Sequence, residues 1–127
     1  METNLREKKP FNSCIQGIRE DQLKRPLCHD VYGDLNFQPE LEWVISRLTE
    51  HHSLQTRPFG ETLGLGEDEV SSVIHVAPRS KEQQLRQALF AWSKRENNEA
   101  TLERLLEALY IGDEVELVEN ICQSELA

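Results

Sequence analysis

Residues 96–109 read ENNEATLERLLEAL. Leu102, Leu105, Leu106 and Leu109 fall at i, i+3, i+4 and i+7, one face of a helix. The charges Glu99, Glu103, Arg104 and Glu107 are left to the outside. Asn97 and Asn98 break the preceding helix and can cap this one. The stretch holds no nucleophile beside a base, no metal-ligand cluster and no glycine-rich loop. One apolar face and one charged face, without chemistry, predict packing on the inside and a solvated face on the outside, free to meet a partner.

Working outward, the same pattern repeats. Upstream, Ser80 and Gln83 form a capping box, and Leu85, Ala88, Leu89 and Trp92 make the apolar face of a helix ending before Asn97. Before that, Gly66 precedes three acids, Glu67, Asp68 and Glu69, placed where the helix dipole favours negative charge. Val70, Val73, Ile74 and Ala77 follow at helical spacing until Pro78. Earlier still, Thr56 is expected to cap a short helix with Pro58 in its first turn. Phe59 and Leu63 point inward and Gly64 stops it. Gly60 inside that helix costs roughly 1 kcal/mol against alanine, which suggests a close backbone approach. The first helix begins near Pro39 and carries Leu41, Val44, Ile45 and Leu48 on one face, ending at His51-His52-Ser53. Downstream, Gly112 ends the leucine-rich helix. Asp113 and Glu116 then make a capping box for a last helix with Val115, Val118, Ile121 and Cys122 turned inward.

Helices this short are marginal alone in water and must pack together. The expected architecture is all-α: a six-helix antiparallel bundle over residues 37–127, without a convincing strand. Residues 1–36 show no sustained periodicity and are punctuated by Pro10, Gly17, Pro26 and Gly33, so a flexible, mostly disordered N-terminal arm is expected there. A short helix around Ile15–Leu23 is allowed within it.

The chain of 127 residues carries a formal charge of −9. Residues 1–36 balance six basic against six acidic residues, so the excess lies in residues 37–127, with eight basic and seventeen acidic. Such a surface repels phosphate, which argues against nucleic acid and against anionic membranes as partners. The apolar runs are too short to span a bilayer, so no membrane insertion is expected. The start METNLREKKPFN lacks the apolar region of a secretory signal. Three cysteines, Cys14, Cys28 and Cys122, match no metal or redox spacing and read as free thiols. A cytoplasmic location follows as the expectation. His51 and His52 are adjacent rather than four apart, His29 follows Cys28 and His75 is isolated, so no metal or cofactor is expected. No thiol has a base placed beside it by the spacing, so no enzyme activity is expected.

Three stretches carry a family resemblance. Arg57-Pro58-Phe59-Gly60-Glu61-Thr62-Leu63-Gly64-Leu65 looks like a second helix running into a Leu-Gly-Leu turn. Glu67-Asp68-Glu69-Val70 looks like the acidic start of a third. Leu85 to Leu109, with Trp92 and Ala100-Thr101-Leu102, is the most specific, and Val115–Ile121 fits a final helix. Together they resemble the death domain, over roughly Pro39 to Ser124. Family members often carry tryptophan where this chain has Thr56, so Phe59 or Trp43 is expected to fill that part of the core. A serine cap is common where Gly66 stands.

The resemblance implies a signalling adaptor that assembles by homotypic contacts with other death-domain proteins, linking receptors or adaptors to apoptotic or innate-immune effectors. The alternatives are the cytoplasmic tail of a receptor or the recruitment module of a larger enzyme. The candidate contact residues are the acids Glu67, Asp68, Glu69 and Glu103, and the bases Arg79, Lys81, Arg86, Lys94, Arg95 and Arg104. Ordinary surface charge is the competing explanation for each, and the helix dipole for the acidic triplet. Opposite charges on different faces would favour head-to-tail assembly, with other copies among the partners.

Overall fold

The computed structural model describes residues 10–31, 33–51, 54–96 and 99–126. Among them, the chain runs through α1 (Phe11–Cys14), α2 (Glu20–Leu23), β1 (Cys28–Val31), β2 (Asp34–Phe37), a 3-10 turn (Pro39–Leu41), α3 (Glu42–Glu50), α4 (Thr56–Thr62), α5 (Glu67–Val76), α6 (Lys81–Glu96), α7 (Leu102–Ile111) and α8 (Val115–Leu126). The bundle proper runs from α3 to α8. Its core is the set read from periodicity: Leu41, Val44, Leu48, Leu85, Leu89 and the four leucines of α7 are 0–1 % exposed. Leu117, not assigned inward from the sequence, is buried on α8, while Val115 is only partly covered.

Several local devices differ from their sequence reading. Gln55, not Thr56, is the N-cap of α4. Thr56 sits in the first turn, buried, and its hydroxyl donates to Gln84 Oε1 at 2.6 Å. Gln84 Nε2 in turn donates to the Ala77 carbonyl at 2.8 Å, so one side chain ties α4 and the end of α5 to α6. Phe59, 1 % exposed, fills the neighbouring core, with Trp43 packed at its edge. Gly60 is a close approach: a Cβ there would lie 2.6 Å from Val70 Cγ2. Gly64 has φ 82, the left-handed region that glycine enters without strain. Ser80 Oγ accepts from the Gln83 N–H, as its capping box requires. Thr101 caps α7 by accepting from the Arg104 N–H, a role the sequence reading gave to Asn97 and Asn98, which lie outside the described residues. After α7 the left-handed residue is Asp113 at φ 67, not Gly112. Asp113 therefore serves that turn, and Glu114 is the residue that directly precedes α8. At Gly112 a Cβ would be a tight fit, 3.0 Å from Thr62 Oγ1.

The expectation of a disordered arm to residue 36 is corrected for residues 10–36 where they are described. Cys14, Ile15, Ile18, Leu23, Leu27 and Cys28 are buried in the same cluster as the bundle core, and so is Phe37. β1 and β2 form an antiparallel hairpin, with Cys28 opposite Phe37 and Val31 opposite Asp34. Gly33, φ 88, lies in the turn. The Leu27 N–H donates to the Ala100 carbonyl at 2.8 Å, and the Leu102 N–H donates to the Arg25 carbonyl at 3.2 Å. Phe11 packs on Tyr110 with ring centroids 5.5 Å apart. Elements of four residues are too short to show a period, so their apolar residues looked scattered. Beyond the hairpin's own pairing, α1 packs on α8, α2 on α7 and β2 on α6.

Candidate interaction surface

The ten charged candidates divide by what they touch. Arg86 is turned inward, its side chain 19 % exposed. Its guanidinium donates to both carboxylate oxygens of Glu42, at 2.8 and 3.0 Å, and to Glu82 at 2.9 Å. It also lies 5.9 Å from the centroid of the Phe37 ring. The hydrogen bonds to Glu42 hold the arginine's proton more firmly than usual, and Arg86 holds the Glu42 carboxyl below its ordinary range. Lys81 donates to the His51 carbonyl at 2.8 Å, closing the end of α3. Arg95 donates to the Leu63 carbonyl at 3.0 Å, closing the end of α4. Glu69 accepts from the Gly66 N–H at 2.9 Å and so substitutes for the missing serine cap. Glu103 accepts from Lys24 at 2.8 Å, fastening the N-terminal segment to α7. Arg104 pairs with Glu99 at 3.4 Å on the surface.

Glu67, Asp68, Arg79 and Lys94 are exposed. Glu67 and Asp68 stand at the start of α5, beside the end of α6 that carries Lys94. The distance from Glu69 to Arg95 is 3.8 Å. Acidic and basic candidates thus meet at one end of the α5–α6 pair. The expectation that opposite charges occupy different faces is corrected there, because the turn after Val76 folds α6 back along α5. Arg79 lies at the other end of the pair, lining a cleft with Arg57, Ile74 and Lys81.

Between those ends lies a groove of about 520 Å³, where Val73, Val76, Phe90 and Ala91 are interleaved with Glu69, Ser72, Gln87, Lys94 and Arg95. Val76 is 69 % exposed, a large apolar side chain left to solvent. Ile111, 72 % exposed, stands over a second cleft bordered by Glu61, Glu96, Glu107 and Arg104. The sequence reading did not pick out Val76, Phe90 or Ile111. Their only signal is that each is apolar yet off its helix's inward stripe.

An open groove of mixed apolar and charged residues suits a protein surface better than a small reactive molecule. Among the described residues, no group of three or more His, Cys, Asp or Glu could hold a metal ion. Among them, too, no helix is long and apolar enough to cross a membrane.

A search of curated proteins and a search of solved structures each returned no match. A family model described as Death domain matches residues 44–124, from near the start of the bundle's first helix into its last. With helices α3 to α8 packed over that same stretch, the chain belongs to the death-domain family.

Proposed function

We propose that this protein is a cytosolic signalling adaptor that binds other death-domain proteins through the exposed α5–α6 surface, linking a receptor or upstream adaptor to apoptotic or innate-immune effectors. Death domains are non-enzymatic modules that make homotypic protein–protein contacts in signalling, and membership of that family is the observation that carries the reading. The groove beside Val76 and Phe90 supplies apolar area, and Lys94, Glu67, Asp68 and Arg79 supply charge not already used by the fold. Charge placed this way selects partners and speeds encounter more than it adds affinity. Each exposed pair contributes ~0–1 kcal/mol, so recognition needs several together and weakens with salt.

The test is a pull-down from cytosolic extract with the intact chain as bait, bound proteins being identified by mass spectrometry. A second bait carries Lys94→Glu. The reading expects death-domain proteins on the first bait and their depletion on the second. Recovery of none on either would overturn it. The bait must keep residues 10–36, since these supply part of the core.

A further inference from the structure

The cations of the bundle are not spread evenly. Residues 37–127 hold eight basic side chains. Four of them face carboxylates: Arg47 with Glu50, Arg86 with Glu42 and Glu82, Arg95 with Glu69 and Glu96, and Arg104 with Glu99. The other four, Arg57, Arg79, Lys81 and Lys94, form no ion pair among the described residues. Three of those four, Arg57, Arg79 and Lys81, line one cleft of about 380 Å³, and no carboxylate lines it with them. The cleft lies where the start of α4, the end of α5 and the start of α6 converge. Thr56 and Gln84, which also border it, are already committed to each other. Lys81 is held in place by its bond to the His51 carbonyl at 2.8 Å. An ammonium has three N–H donors, so donors remain for a ligand. Arg57 and Arg79 are exposed, and Ile74 and Pro78 add apolar surface.

We propose that this cleft docks a phosphorylated serine or threonine carried by a segment of a partner protein. Like charges gathered without a counter-charge repel one another, and an anion relieves that repulsion. A phosphate group suits the task. Near neutral pH it carries about −1.5 to −2 charges and three strong acceptor oxygens on one phosphorus. Guanidinium groups match such oxygens with paired N–H donors. A run of carboxylates suits the cleft less well. It would spread its charge over the surrounding bundle, where seventeen acidic residues stand against eight basic ones. A phosphate concentrates the same charge inside the cleft. The excess of acid around it also repels an extended nucleic-acid backbone. Apolar side chains flanking the phosphorylated residue would lie against Ile74 and Pro78. Docking is then switched on by a kinase acting on the partner and off by a phosphatase. The proposal goes beyond the adaptor reading and does not rest on it.

The probe is a short capped peptide holding phosphoserine between two leucines. It is titrated at constant ionic strength into the folded, intact chain and followed by amide NMR shifts. Its serine and glutamate counterparts and inorganic phosphate are titrated alongside. The expected result is saturable shifts clustered at Arg57, Ile74, Arg79 and Lys81, none with the serine peptide, and weaker binding of the glutamate peptide and of inorganic phosphate. Arg57→Gln and Arg79→Gln should each weaken phosphopeptide binding about tenfold, the loss of one charged hydrogen bond. Arg47→Gln, which removes the same charge outside the cleft, should bind as the natural chain does. A circular dichroism spectrum confirms that each variant folds. No saturable shift, shifts centred elsewhere, glutamate peptide or inorganic phosphate binding as tightly as the phosphopeptide, or full affinity in both arginine variants of the cleft would each overturn the proposal. The Lys94→Glu pull-down reads a different residue and a different ligand, so the two readings fail separately.

Discussion

Replacing Leu27 by alanine tests whether the N-terminal segment is part of the folded unit. Leu27 lies outside residues 44–124 and in a stretch without helical periodicity. Yet its side chain is 0 % exposed. Its N–H donates to the Ala100 carbonyl at 2.8 Å, and its own carbonyl accepts from the Gln38 N–H at 2.8 Å. The backbone is held on both sides, so the space left by the lost methyl groups cannot readily close. Leucine-to-alanine changes in such sites cost about 2–5 kcal/mol, and about 3 kcal/mol is expected here. With a urea slope of about 1–3 kcal/mol/M, the unfolding midpoint should fall by about 1–3 M. Leu105→Ala in α7, equally buried, provides the scale. A Leu27→Ala change below about 0.5 kcal/mol, the range of ordinary surface substitutions, would refute the reasoning and return the segment to a loose arm.

Arg86→Ala removes charged hydrogen bonds to Glu42 and Glu82, and should cost about 1–3 kcal/mol by urea unfolding at neutral pH. Because Arg86 lowers the Glu42 pKa, that carboxylate's stabilisation is present above the ordinary value of 4.5 and is lost as pH falls through the depressed one. The natural chain should therefore lose more stability than Arg86→Ala between pH 5 and strongly acid solution, as followed by urea midpoints across that range. Gly60→Ala gains about 1 kcal/mol of helix propensity but places a methyl 2.6 Å from Val70 Cγ2, about 1 Å inside a normal carbon contact. Overpacking of this kind costs about 1–3 kcal/mol, so net destabilisation is expected, relieved when Val70→Ala is added; stabilisation by thermal unfolding would contradict the contact. Thr101→Ala should cost about 1 kcal/mol by loss of the α7 cap, while Thr101→Ser keeps most of it in the same assay.

The bundle was legible because its helices are long enough to repeat. Leu102, Leu105, Leu106 and Leu109 name their own buried face, and the glycines at 60 and 64 announce a close approach and a left-handed turn. The N-terminal segment was not legible, since α1 and α2 hold four residues each and their contacts lie far away in sequence. The candidate surface was only half legible for a related reason. Composition shows that Arg86, Arg95 and Lys81 are basic, but not that their partners lie 44, 32 and 30 residues back. Nor can a linear reading show that Val76 and Phe90, off-stripe on separate helices, border one groove. Charges bonded to helix ends look like solvent-exposed ones until the helices are assembled.

The central claim is that partner contacts use the charge that the fold leaves over. The most direct measurement is the affinity of the intact chain for a death-domain protein recovered by the pull-down, beside the urea midpoint, for the natural chain and for Lys94→Glu. The account expects an affinity loss of about tenfold or more, about 1.4 kcal/mol, with an unchanged midpoint. Unchanged affinity, or a loss that appears only with a falling midpoint, would contradict it.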